Sequence, residues 1–174
     1  VTAYLVLPRQ PDDPKLLQAL DSGVRLVSAQ EDARLEALDA ELGRSSLAMD
    51  AVLGTGQSRP LVGIVREVML RLIAAREHRH NLTVMALELP TGMDTDTGLA
   101  DLACPRADVT VTLGYPKTGH FLFPGASKLG RLKVIDIGIP SYLAGDVKLE
   151  LLTRGRIKSK LPARPLDSHK GTFG

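Results

Sequence analysis

Three times in this chain a short apolar run empties into a polar, glycine-bearing loop. Ser46 to Leu53 leads into Gly54-Thr55-Gly56-Gln57-Ser58-Arg59-Pro60, and Leu82 to Leu89 into Pro90-Thr91-Gly92-Met93-Asp94-Thr95-Asp96-Thr97-Gly98. Ala107 to Leu113 leads into Gly114-Tyr115-Pro116-Lys117-Thr118-Gly119-His120. Runs this short and apolar suit strands covered on both faces. Between the first two, Leu61, Ile64, Val65, Val68, Leu72 and Ile73 recur at helical period. Strands alternating with helices predict an α/β fold with a mostly parallel sheet and helices on both faces. Ligands bind such sheets beyond the carboxyl ends of the strands, so all three loops are expected on one edge.

The remaining segments extend this pattern. Val1 to Leu7, Val24 to Val27 and Leu132 to Ile137 read as strands, and Val147 to Leu152 as a last, edge strand. Pro14 opens a helix whose apolar side is Leu16, Leu17 and Leu20 and which Gly23 ends. Ser28 and Glu31 have capping-box spacing before a helix carrying Leu35, Leu38 and Leu42, which Gly43 stops; its acids are expected in solvent. Arg76 to His80 closes the helix of the Leu61–Ile73 stripe; Arg beside the two His speaks against a metal site there. Arg154 to Gly174 has little periodicity and reads as a linker. A strand that begins at the first residue, with no preceding turn, gives the expectation that residues lie upstream.

Composition narrows the partners. A net charge of +2, with three Phe, three Tyr and no Trp, offers no basic, base-stacking surface, so a nucleic-acid partner is not expected. Cys104 is the sole cysteine, which excludes an internal disulfide and gives no zinc spacing; it reads as a partly buried loop residue. No apolar run approaches the ~20 residues of a membrane span, and no signal-peptide pattern opens the chain. The expectation is a cytoplasmic protein acting on a small molecule, with a homo-oligomer left open.

The first loop carries the clearest ligand chemistry. Gly54 and Gly56 permit tight turns and close approach of a ligand, Pro60 suits the first turn of a helix, and Arg59 adds a fixed positive charge. A loop feeding a helix N-terminus offers unpaired N–H groups suited to phosphate. The same residues also fit an ordinary strand-to-helix turn. Asp50 is the one acid in its apolar run.

In order and spacing, these segments resemble the NAD(P)H-hydrate epimerase family, also called the YjeF N-terminal domain family. Asp50-Ala51-Val52-Leu53-Gly54-Thr55-Gly56 with Arg59-Pro60 is similar to its D-A-(apolar)-F-G-T-G segment. Ala86-Leu87-Glu88-Leu89-Pro90-Thr91-Gly92-Met93-Asp94-Thr95-Asp96-Thr97-Gly98 is similar to its A-L-D-I-P-S-G-L-D-A-D-T-G. Ala107 to Gly114, Pro116-Lys117, Gly119-His120 and Asp136 to Pro140 match the rest, so the likeness covers residues 46 to 140. Pro165 to Gly174 resembles the opening of an ADP-dependent NAD(P)H-hydrate dehydratase domain.

The resemblance implies a Rossmann-like, doubly wound fold and epimerisation of the R and S hydrates of NADH and NADPH. It implies a bifunctional enzyme, with residues 1–152 epimerase-like and 153–174 a linker plus the first residues of a dehydratase domain. ADP or ATP would serve only that second domain. Gly54, Thr55, Gly56, Gln57, Ser58, Arg59, Pro60 and Glu88 would bind the substrate, and Asp50 and Thr91 a potassium ion. On the residues alone, Asp50 also fits a turn cap and Thr91 a plain turn hydroxyl. Asp94 and Asp96 fit either turn formation or acid/base work. Lys117 and His120 could approach the same pocket, though a lone loop His is more often a surface residue, and neither is assigned to catalysis, which stays without a named residue. The departures are Glu88 where the family has Asp, Thr91 where it has Ser, and the absence of the family's G-N-N-G-G-D-G loop and the strand before it. A chain truncated at both ends is therefore expected, with exposed strand edges and apolar faces. The alternative is a non-catalytic nucleotide- or partner-binding module of the same fold.

Overall fold

The computed structural model describes residues 1–57, 59–163 and 165–172. Two compact units divide the chain, Val1–Gly138 and Ile139–Gly174.

The first unit alternates strand and helix. Strand β1 is Thr2–Leu5, helix α1 Pro14–Asp21, β2 Arg25–Ser28, α2 Glu36–Arg44 and β3 Leu47–Asp50. Then follow α3 Gly63–His78, β4 Thr83–Leu87, β5 Val109–Leu113 and β6 Arg131–Ile135. Every pairing between these strands is parallel, and the α/β, Rossmann-like fold expected from the strand–loop pattern is present. The strands form two sheets, β1-β2 and β3-β4-β5-β6. Among the described residues, β1 pairs only with β2, and β3 only with β4.

Register decides which side chains are covered. Asp50, Ala86 and Thr110 are paired across β3, β4 and β5, so they share a face, and all three are buried. Val84 and Thr112 are buried on the same face. Leu35 just before α2, Leu38 and Leu42 of α2, and Val68, Met69 and Leu72 of α3 pack into one core with Leu82, Val84 and Ala86. Met49, Leu87 and Ile135 alternate to the other face and are exposed, Met49 by 58%. A second, smaller core of Leu89, Met93, Cys104 and Leu129 lies under the loops that follow β4 and β5. Cys104 is fully buried rather than partly so, and burial pushes its thiol up to about 12.

Several local expectations fail for definable reasons. The Ser28–Glu31 capping box does not form, because residues 29–35 turn before α2 starts. The carboxylate that meets the helix is that of Asp32, accepting from the N–H groups of Ala37 (3.1 Å) and Leu38 (3.0 Å). Gly43 does not stop α2, which continues to Arg44. Glu41 of α2 is buried rather than solvated, between the guanidinium groups of Arg25 and Arg44. Pro60 is not in the first turn of α3, which begins at Gly63 after an extended Val62.

In the second unit, Val147 to Leu152 forms no strand, since alternation alone supplies no paired edge to bond with. The basic stretch Arg154–Lys160, expected to be linker, is a short helix, α4, with Thr153 Oγ1 accepting from Arg156 N–H. No helix among the described residues is long and apolar enough to cross a membrane.

Candidate active site

The carboxyl ends of β3, β4 and β5 bring the three loops together. Strand β3 delivers Asp50, 2% exposed, to the start of the first loop. Its Oδ2 accepts from Thr91 N–H at 2.8 Å and its Oδ1 from Thr91 Oγ1 at 2.7 Å. Leu53 N–H donates to Thr91 Oγ1 at 3.1 Å, so one hydroxyl ties both loops. Burial pushes the Asp50 carboxyl above its ordinary range, against the hydrogen bonds from Thr91 and Val52. No Lys or Arg pairs with it among the described residues.

The glycine loop is fastened at two further points. Gln57 Oε1 accepts from Gly92 N–H at 3.2 Å, and Asp101 Oδ2 accepts from Leu61 N–H at 3.0 Å. Gly56 has φ 98°, a conformation that favours glycine, and open space surrounds the Cβ positions of Gly54 and Gly56. Arg59 and Pro60 are exposed. Ser58, also expected at the substrate, lies outside the described residues.

The second and third loops meet backbone to backbone. Gly119 N–H donates to Thr95 O at 2.7 Å, and a Cβ on Gly119 would lie 2.5 Å from Asp94 O. Asp94 is a turn former: its Oδ1 accepts from Asp96 N–H, Thr97 N–H and Thr97 Oγ1. Thr95 Oγ1 is buried without a partner.

Glu88 stands apart from the Asp50–Thr91 pair in its bonding. It follows β4 with φ 69°, a left-handed conformation that costs a non-glycine residue about 1–3 kcal/mol unless its surroundings fix it. Its Oε1 accepts from Leu113 N–H (2.7 Å), Thr112 Oγ1 (2.9 Å) and Lys117 Nζ (3.1 Å). Burial raises its pKa, but those three donors outweigh burial and hold it below the usual carboxylate range. His120, 2% exposed, packs against the Glu88 backbone, and burial pushes its pKa down.

Sequence reading brought Lys117 and His120 to the same pocket but missed their pairing with Glu88, and His120 is buried rather than at the surface. The signal was their place in the third loop, but pairing with Glu88 depends on a positive φ that no sequence pattern marks. A cleft of about 570 Å³ lies at the opposite edge of the sheet, lined in part by Arg76, Arg106 and Asp108. It has no contact with the three loops.

The fold is an α/β domain of the Rossmann type, with three polar loops gathered at the carboxyl ends of its parallel strands. Residues 2–119 match the family described as YjeF-related protein N-terminus, and the chain belongs to that family. It is 36% identical over 148 residues to the "Bifunctional NAD(P)H-hydrate repair enzyme Nnr" of Thermofilum pendens, covering 85% of this chain and 27% of that protein. It is 35% identical over 127 residues to the "NAD(P)H-hydrate epimerase" of Microbacterium testaceum, covering 72% of this chain and 46% of that protein. The chain thus spans about a quarter to a half of these relatives. The crystal structure of yeast ynu0, YNL200c, shares the fold with a TM-score of 0.63 at 19% identity, covering 87% of this chain and 61% of that one.

Proposed function

We propose that this chain forms the larger part of an NAD(P)H-hydrate epimerase domain, within a bifunctional enzyme that also carries an ADP-dependent NAD(P)H-hydrate dehydratase. The observation that carries this reading is the buried Asp50–Thr91 pair, which joins the glycine loop to the Pro90–Gly98 loop where a Rossmann-type sheet binds its ligand. The names of the relatives supply the substrate class. Among the described residues, β1 and β3 each keep one edge without a partner strand.

Residues 54–57, Arg59 and Pro60 form one wall of the site, with backbone N–H groups and the Arg59 guanidinium available to the anionic pyrophosphate. Glu88 Oε2, which has no partner among the described residues, accepts a hydrogen bond from the substrate. Epimerisation inverts one hydroxyl-bearing carbon and leaves the composition unchanged, so it requires a bond to break and re-form with proton transfer.

The donor set at Asp50 fits a potassium ion. The Asp50 carboxylate, Thr91 Oγ1 and the Leu53 carbonyl are all oxygen ligands, as a hard cation requires, and Asp50 has no cationic partner. When bound, the ion supplies the positive charge that keeps Asp50 ionised and offsets substrate phosphate. A cytoplasmic setting and a small-molecule partner complete the reading.

The test is incubation of the protein with R-NADHX, with chromatographic resolution of the epimers over time. Conversion to S-NADHX above the spontaneous rate is expected. An R epimer that persists as it does in buffer would sink the reading; binding without turnover would favour the non-catalytic module.

A further inference from the structure

We infer that Lys117 and His120 are positioning residues for Glu88, holding one carboxylate oxygen against the protein and presenting the other to a neutral hydroxyl or amide N–H of the ligand. This rests on the substrate-binding role proposed above for Glu88 and deepens it.

The geometry fixes Glu88 from every side. Its N–H donates to Val111 O at 2.7 Å, and its carbonyl lies 3.0 Å from His120 Nε2. Lys117 N–H donates to His120 Nδ1 at 3.1 Å. A carbonyl only accepts and an amide N–H only donates, so Nδ1 carries no proton and Nε2–H donates to Glu88 O. Burial of the imidazole favours this neutral form. One imidazole therefore latches the third loop to the left-handed backbone of Glu88.

Lys117 acts on the side chain. Its Nζ lies 3.1 Å from Glu88 Oε1, 3.1 Å from Thr112 Oγ1, 3.0 Å from Leu113 O and 2.8 Å from Tyr115 O. An ammonium has three protons, and four oxygens already surround it. Lys117 is thus committed to the protein rather than to a phosphate. Glu88 Oε1 is saturated by Leu113, Thr112 and Lys117, and only Oε2 remains. An ionised carboxylate oxygen accepts but does not donate, so it selects a hydroxyl or amide and repels an anion. The Glu88 end of the site therefore reads the hydroxyl- and amide-bearing part of a dinucleotide, and the glycine loop its pyrophosphate. The charged and titratable groups facing Glu88 are Lys117 and His120.

The test is steady-state kinetics with R-NADHX on Lys117→Met, His120→Leu, His120→Gln and Glu88→Gln, with calorimetric titration of NADH alongside. Lys117→Met and His120→Leu are expected to raise KM at least about tenfold, the scale of one hydrogen bond to a charged group, with a smaller change in kcat. The acid limb of kcat/KM should move to higher pH in Lys117→Met, because the ammonium that holds Glu88 low is gone. His120→Gln, which keeps a donor for Glu88 O, should recover most of the KM. Variants that melt earlier but keep wild-type KM and acid limb overturn the inference. If the wild type shows no epimerisation, the proposed function falls, and NADH affinity decides the positioning role. Equal affinity in wild type, Lys117→Met and His120→Leu then overturns it, and a weakening like that of Glu88→Gln upholds it.

Discussion

Asp50 and Asp108 stand at opposite ends of the same parallel sheet, and their surroundings push them in opposite directions. Asp108 precedes β5 at the amino edge, where its Oδ2 accepts from Val84 N–H and its Oδ1 from Arg76 Nη2, each at 2.8 Å. Burial alone would raise its pKa, but those bonds and the charges of Arg76 and Arg106 hold it below the usual carboxylate range. Asp50 has hydrogen bonds but no cation, and burial pushes it up. The amino edge is electrostatically closed. At the carboxyl edge Asp50 is buried with no Lys or Arg paired to it among the described residues, so burial favours its neutral form.

Paired substitutions separate the two ends. Asp50→Ala leaves the buried Thr91 N–H without an acceptor, at about 1–3 kcal/mol of stability, and should lower epimerase turnover by at least about tenfold. Asp108→Ala should cost about 1–3 kcal/mol through the orphaned Val84 N–H, yet leave turnover per folded molecule unchanged. Urea midpoints with rates corrected for folded fraction check both; loss of turnover in Asp108→Ala would break the comparison.

Cation linkage comes next. At 100 times its dissociation constant, potassium should stabilise the wild type by about 2.7 kcal/mol, read as a melting shift between potassium and choline chloride at equal ionic strength. Asp50→Asn can keep a hydrogen bond to Thr91, with the hydroxyl accepting, and should lose the shift. Asp108→Asn should keep it. An equal shift in both variants would place the ion elsewhere.

The pH dependence carries opposite signs. Asp108 has a lowered folded pKa, so its stabilisation is complete above its unfolded value of 3.8 and is lost as pH falls through the folded one. Asp108→Asn should flatten the acid limb of stability. Asp50 has a raised folded pKa, so without potassium its contribution favours the fold below 3.8 and is lost as pH rises through the folded value. Asp50→Asn should flatten that slope in choline chloride, as measured by melting temperature against pH. The smallest effect belongs to Arg106→Gln: this exposed residue should change stability by less than about 0.5 kcal/mol, checked in the same melts.

Much of the carboxyl edge was legible because it is local. The apolar runs Ser46–Leu53, Leu82–Leu89 and Ala107–Leu113 each contain a strand, and the glycines that follow mark loops that must turn. The family likeness named Asp50 with Thr91, and they lie side by side. What stayed hidden is non-local. Lys117 engages Glu88 across 29 positions, and the buried Glu41 pairs with Arg25 of β2 as well as with Arg44 of its own helix. Asp32 displaced the spaced pair Ser28–Glu31 because α2 begins later than local pattern suggested. The Arg76–His80 cluster also has a long-range role: Arg79 donates to the carbonyls of Leu42 and Ser45 at the end of α2, and Arg76 pairs with Asp108.

The clasp between Asp50 and Thr91 spans 41 positions, and that has a consequence for synthesis. A ribosome delivers Asp50 before its partner, at about 5–20 residues per second, so the carboxylate emerges solvated and unpaired. Glu88 waits in the same way for Lys117. The amino-terminal segments, whose contacts are nearer in sequence, can form while the nascent chain still lacks a ligand site. Stalled chains released with Thr91 but without Lys117 should therefore resist proteolysis over α1 to α3 while failing to retain NADH.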